Sequence, residues 1–184
     1  CENCHDSKAM VGVATRHPKF DESAQTLINL EGQLNQCRTN RQQLPALALE
    51  SQRMLYLSSF ITRQSQGMAA SVSIRGPAAP WLERGKDYFF QRRGQLNLAC
   101  HQCHDQSWGK MLRGDLISQG QPNGFPAYRL EWQGLGSLHR RLQDCESGVR
   151  AKTQELGSDA YLALELYLVW RSQKLPLESP AVRR

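Results

Sequence analysis

An all-α fold built from two copies of one small domain is predicted by three features of the 184-residue sequence. A C-x-x-C-H pentapeptide opens the chain as Cys1-Glu2-Asn3-Cys4-His5, and a second stands at Cys100-His101-Gln102-Cys103-His104. Each is followed by a leucine stripe ending in a further cysteine, Cys37 in one copy and Cys145 in the other. In such a pentapeptide two thiols add to the vinyl groups of a haem, and the histidine reaches the iron. The sequence thus specifies two covalent c-type haems, attached through Cys1 and Cys4 and through Cys100 and Cys103, with His5 and His104 as axial ligands. A lone C-x-x-C also fits a dithiol redox pair or half a zinc site; a histidine directly after both copies argues against these.

The elements follow in order. Residues 6 to 22 read as loop, with a turn across Arg16-His17-Pro18-Lys19-Phe20. Leu27, Leu30 and Leu34 fall at i, i+3 and i+7, the spacing of one helix face, just before Cys37. A second helix is expected over Leu47 to Thr62, carrying Met54, Leu55, Leu57 and Phe60, and Gly67 to Pro80 reads as a linker. A helix over Trp81 to Arg93 precedes the second pentapeptide, as in cytochrome c domains, with Gly85 letting a C-terminal helix cross closely. Its counterpart before Cys1 is missing, so an N-terminal portion is expected to have been removed. Residues 113 to 126 form a turn-rich loop, and the last helix runs from Ser158 to Arg171, ended by Pro176 and Pro180. The domains are thus 1–75 and 76–184, both class I-like cytochrome c folds.

The repeat has a constant register. Pro18, Phe20, Leu27, Leu30, Leu34 and Cys37 meet Pro126, Tyr128, Leu135, Leu138, Leu142 and Cys145, all 108 residues on. Pentapeptide and cysteine are 36 residues apart in the first copy and 45 in the second, so nine residues were gained in the loop after Leu112. Differences between the copies concentrate near the cysteines: Arg141 stands opposite Gln33, and His139 opposite Glu31.

Composition narrows the classes. No apolar run of membrane-spanning length is present, so no transmembrane helix is expected. The net charge of +6 is dispersed and accompanied by no nucleic-acid motif, so anionic substrates or an acidic partner suit it better than nucleic acid. Covalent haem attachment takes place outside the cytoplasm, which places the chain in the periplasm.

The two further cysteines admit alternatives. A Cys37–Cys145 disulfide is one, although equivalent positions of tandem domains are not expected to face each other. Axial ligation is the other, Cys37 serving the first haem and Cys145 the second. Met10 or Met54, and Met111 or His139, are the rival ligands, but no methionine pair is equivalent. Arg141, four residues before Cys145, shares a helix face with its sulfur, and a guanidinium fork suits a sulfur oxyanion. Arg140 and His139 would add to its effect, keeping Cys145 ionised; contact with haem propionates or solvent is the plainer role for the arginines.

At these residues the chain resembles the SoxA subunits of the SoxAX cytochromes. The likeness rests on Leu-Ala-Cys-His-Gln-Cys-His at 98–104, the run Leu-Arg-Gly-Asp-Leu-Ile-Ser-Gln-Gly-Gln-Pro-Asn-Gly-Phe-Pro-Ala-Tyr-Arg-Leu at 112–130, Leu-Gly-Ser-Leu-His-Arg-Arg-Leu-Gln-Asp-Cys at 135–145, Glu-Leu-Tyr-Leu at 165–168 and the tail Leu-Pro-Leu-Glu-Ser-Pro-Ala-Val-Arg at 175–183. The resemblance implies a dihaem subunit with His5 and Cys37 on the first iron and His104 and Cys145 on the second, Cys145 carrying a persulfide and Arg141 contacting substrate. It also implies an L-cysteine S-thiosulfotransferase: thiosulfate is joined oxidatively to a cysteine of the SoxYZ carrier, and electrons pass to a monohaem SoxX-type subunit and a soluble cytochrome c. A purely electron-transferring dihaem cytochrome and a tetrathionate-forming thiosulfate dehydrogenase are the competing functions.

Overall fold

The computed structural model describes residues 5–112 and 114–184. Cys1 and Cys4, the first attachment pair, lie outside the described residues.

The fold is not all-α. Short sheets precede or flank the helices, and the reason is local. Phe20 and Leu27, read from sequence as turn and helix, pair across an antiparallel hairpin formed by β1 (Lys19–Asp21) and β2 (Thr26–Ile28). Leu27 is fully buried from that strand, so its helical spacing to Leu30 was coincidental. Helix α1 (Leu30–Asn40) starts after it, where the side chain of Asn29 accepts the Gly32 N–H at 3.0 Å. Helix α2 (Gln52–Arg63) begins at a Ser51 cap, five residues later than the leucine at 47 suggests.

Helix α3 (Ala79–Phe90) then leads to the short helix α4 (Cys100–His104). After it comes a small hairpin of β3 (Met111–Leu112) and β4 (Asp115–Leu116). A second hairpin, β5 (Ala127–Arg129) with β6 (Gly134–Gly136), pairs Tyr128 with Leu135. Those residues lie 108 positions after the Phe20–Leu27 pair. Helix α5 (Leu138–Gly148) follows, capped by Ser137, whose hydroxyl accepts the Arg140 N–H at 3.2 Å. Helix α6 (Asp159–Arg171) ends before a tail that returns as β7 (Ala181–Arg183), parallel to β5.

α3 and α6 form the largest helix pair. Gly85 is required there, because a Cβ on it would run into the Ala163 carbonyl and approach Tyr167 Cβ at 2.9 Å. The stretch read as a linker is not a free tether: Val72 and Ala78 are buried with Leu27, Trp81, Leu162, Ala163 and Leu166 in one apolar cluster. A second cluster holds Leu30, Leu34, Met54 and Ile61; a third holds Phe89, Leu164, Tyr167 and Leu168. Tyr167 is 6% exposed under α3, whereas Tyr56 on α2 is 59% exposed. No described helix among these residues is long and apolar enough to cross a membrane.

Candidate active site

The site is assembled by α4, α5 and the loop between β4 and β5. Cys100 and Leu142 both pack against the third cluster, which brings the attachment helix beside α5. Cys103 and Cys145 lie close enough for charge on one to raise the other's pKa, and the same holds between Cys145 and Cys100. Cys145 is thus placed near both thiols of the attachment helix. All four described cysteines, Cys37, Cys100, Cys103 and Cys145, are free thiols, so no Cys37–Cys145 disulfide is formed.

The His104 ring is held in one orientation. Its Nδ1 lies 2.8 Å from the Ser118 carbonyl, which receives the Nδ1 proton and leaves Nε2 with a free lone pair that could bind a metal. Gly120, at φ +68°, lets the loop pass under the ring, since a Cβ there would sit 2.9 Å from His104 Cγ. Burial lowers the His104 pKa, the Ser118 carbonyl opposes this, and Arg141 and Arg171 add to it. A neutral imidazole is the form an iron takes up. The turn-rich loop thus has a role that sequence did not assign; the glycine within it was the available signal.

Arg141 lies one helical turn before Cys145, and its charge acts on both Cys145 and His104. Its guanidinium enters no ion pair among the described residues. Neighbouring arginines are engaged: Arg93 with Glu146 at 3.0 Å, Arg129 with Glu131 at 2.9 Å, and Arg171 with Asp105. Arg140 is also taken up, 3.8 Å from Glu50 and stacked 4.3 Å over the Trp132 ring.

Two expectations fail here. His139 does not assist Cys145: it is 2% exposed, and its Nε2 is 2.9 Å from Glu165 of α6. Nor does Arg141 suffice to ionise the thiol. Burial pushes the Cys145 pKa up, outweighing Arg141 and Arg129, which pull it down. A thiolate there needs a further partner, and a coordinating metal deprotonates a thiol outright. Met54, a rival ligand, is fully buried among Leu30, Leu34 and Ile61, and Met10 packs on that cluster. Met111 is 62% exposed on β3.

Glu146 was missed from sequence. Only 6% exposed, it accepts from Tyr161 Oη at 2.7 Å, Arg93 Nη1 at 3.0 Å, the Gln154 N–H at 3.3 Å and, closer still, Tyr88 Oη. Burial and this carboxylate raise both tyrosine pKa values, so both phenols stay donors. The residue after Cys145 thereby ties α5 to α3 and α6. In the first copy, Cys37 on α1 is partly exposed with Gln33 a turn before it, and His5 is exposed.

The first pentapeptide through residue 70 matches the family model described as SoxA/TsdA, cytochrome c domain. The whole chain is 40% identical to L-cysteine S-thiosulfotransferase subunit SoxA of Pseudaminobacter salicylatoxidans and 41% identical to that of Paracoccus pantotrophus. It spans 65% and 63% of the length of those relatives. The crystal structure of SoxXA from P. pantotrophus superposes with a TM-score of 0.95 at 40% identity, over all of this chain and 70% of that one. A cytochrome c domain carries covalently bound haem c, and the described half of the fit is favourable: paired thiols on α4, a neutral oriented imidazole and a facing cysteine. With this identity sustained over its full length, the chain belongs to the SoxA family of c-type cytochromes.

Proposed function

We propose that this chain is the catalytic part of an L-cysteine S-thiosulfotransferase acting in the periplasm. Two haem domains, 1–75 and 76–184, carry one haem each: Cys1, Cys4, His5 and Cys37 hold the first, and Cys100, Cys103, His104 and Cys145 the second. A carrier cysteine and thiosulfate are joined as R–SH + S2O3(2−) → R–S–S–SO3(−) + H⁺ + 2 e⁻, with R the SoxYZ carrier. The S–S bond forms as the thiol S–H bond is lost, and both sulfurs are oxidised.

Cys145, as a persulfide, presents an outer sulfur beyond the buried Sγ, which relieves the conflict between ligation and attack on one atom. Arg141 binds the sulfonate end of thiosulfate through two parallel N–H donors and holds the substrate against that sulfur. Arg129, whose charge also reaches Cys145, adds to the local positive field. Haem c held by Cys100, Cys103, His104 and Cys145 would supply the one-electron chemistry, with a SoxX-type monohaem subunit and a soluble cytochrome c as the acceptors. The first domain has Gln33 where the second has Arg141, which supports an electron-storing role for it.

The observation that carries this reading is an unpaired guanidinium beside a cysteine that faces an attachment helix. In a purely electron-transferring cytochrome the same cation would serve only a haem propionate, and its loss would leave thiosulfate turnover unchanged. Incubating the haem-loaded complex with thiosulfate, the carrier and oxidised cytochrome c, and weighing the carrier by mass spectrometry, tests it. The expected product is a carrier gaining one thiosulfate adduct on its cysteine; free tetrathionate with an unmodified carrier would assign the chain to thiosulfate dehydrogenation.

A further inference from the structure

A cavity of about 90 Å³ lies away from the haem-facing thiols, at the N-terminal ends of both cysteine-bearing helices. Its walls include both helix caps, Asn29 and Ser137, and the residues Glu31 and His139 that follow them. These are equivalent positions of the two repeats. Contrary to the expectation for tandem copies, they meet in one space.

The cavity collects more acid than base. Glu165 of α6 lies 2.9 Å from His139 Nε2 and accepts from Asn29 Nδ2 at 3.1 Å; the same amide reaches Glu31 at 3.3 Å. Glu50 stands close by, accepting the Ser137 N–H at 2.8 Å, with Arg140 at 3.8 Å as its counter-charge. His17, from the loop before β1, lines the opposite wall; its Nδ1 is satisfied by the Val13 carbonyl at 3.0 Å and its buried Nε2 has no partner. Lys19 and Arg16 act on His17 from outside the cavity.

Proton accounting follows from the hydrogen bonds. The Gly157 N–H is donated to His139 Nδ1 at 3.0 Å, so that nitrogen keeps its lone pair. The other nitrogen, Nε2, faces Glu165. One imidazole engaged with Glu165 leaves Glu31, buried one amide away, without a cation of its own. Burial and Glu165 push the Glu31 carboxyl up to about 7. Burial holds His17 down at about 4, so it brings no charge to offset them. Burial opposes charge on His139, but Glu165, Glu31 and Glu50 outweigh it and its pKa is raised, so the ring serves as the partner of Glu165.

We propose that this cavity is a proton-binding site, in which one proton is held on the buried Glu31 carboxyl, one Asn29 amide away from Glu165. Its loss leaves two negative charges facing each other between α1 and α6. Because the folded-state affinity for the proton exceeds that of an ordinary carboxyl, the stabilisation is complete below the usual carboxylate range and is lost as pH rises through about 7.

Infrared difference spectra of the haem-loaded, full-length complex, titrated from about pH 5 to pH 9, read this proton directly. The wild type is expected to lose one protonated-carboxyl band per chain near neutrality, and Glu31→Gln is expected to lack it. Thermal midpoints taken alongside should fall more steeply with pH in the wild type than in Glu31→Gln. A wild type with no such band, or a band that persists in both Glu31→Gln and Glu165→Gln, overturns the site.

Discussion

Arg141→Ala is expected to lower kcat/KM for thiosulfate by roughly 100-fold or more, with haem attachment and the visible spectrum retained. The size follows from what the side chain does. It supplies the paired donors for the sulfonate, and deleting one fixed donor to a developing or bound anion typically costs on the order of 10²–10³ in rate. Nothing in the fold leans on this guanidinium, since it enters no ion pair among the described residues, so stability should change little. Arg141→Lys should recover part of the loss, because a point charge keeps the attraction but not the fork. Steady-state kinetics with carrier and thiosulfate check this; a variant with wild-type kinetics would remove Arg141 from the substrate site.

Glu146→Ala is expected to carry the largest stability cost of any single change near the site, about 3–5 kcal/mol. Removing the carboxylate strands Arg93, whose side chain is 15% exposed, as a nearly buried cation without its partner. Tyr88 and Tyr161 lose their shared acceptor at the same time. The Arg93 guanidinium also lies 3.5 Å over the Tyr88 ring and donates to the Tyr88 carbonyl at 2.9 Å, so these groups act as a unit. A double-mutant cycle with Arg93→Ala should therefore show a combined loss smaller than the two separate losses added together. Urea unfolding of the haem-loaded chain measures it. Losses that simply add would show that Glu146 and Arg93 are not coupled.

The role of Gly85 and the 108-residue register were legible, because each depends on local spacing or on a residue type with one physical use. The helix after Asn29 was legible too, but its start was not: Leu27 obeys helical spacing and belongs to a strand. Strands of two or three residues leave almost no periodic signal, which is why an all-α chain was expected where hairpins occur. The tail strand at 181–183 was invisible for another reason, since its partner at 127–129 is distant in sequence. The site divided in the same way. Arg141 could be placed by its four-residue spacing from Cys145. Glu146 could not, because its importance comes from Tyr88, Arg93 and Tyr161 on other elements. His139 looked like a cationic helper from its position on α5, and only packing against α6 shows it turned towards Glu165.

The most direct test of the chemistry assigned to Cys145 is intact mass with peptide mapping of the haem-loaded chain. The account predicts two haem masses, on the peptides holding Cys1–Cys4 and Cys100–Cys103, with one additional sulfur on the Cys145 peptide that is removed by cyanide or reductant. A Cys145 peptide that carries no additional sulfur in active protein would contradict it.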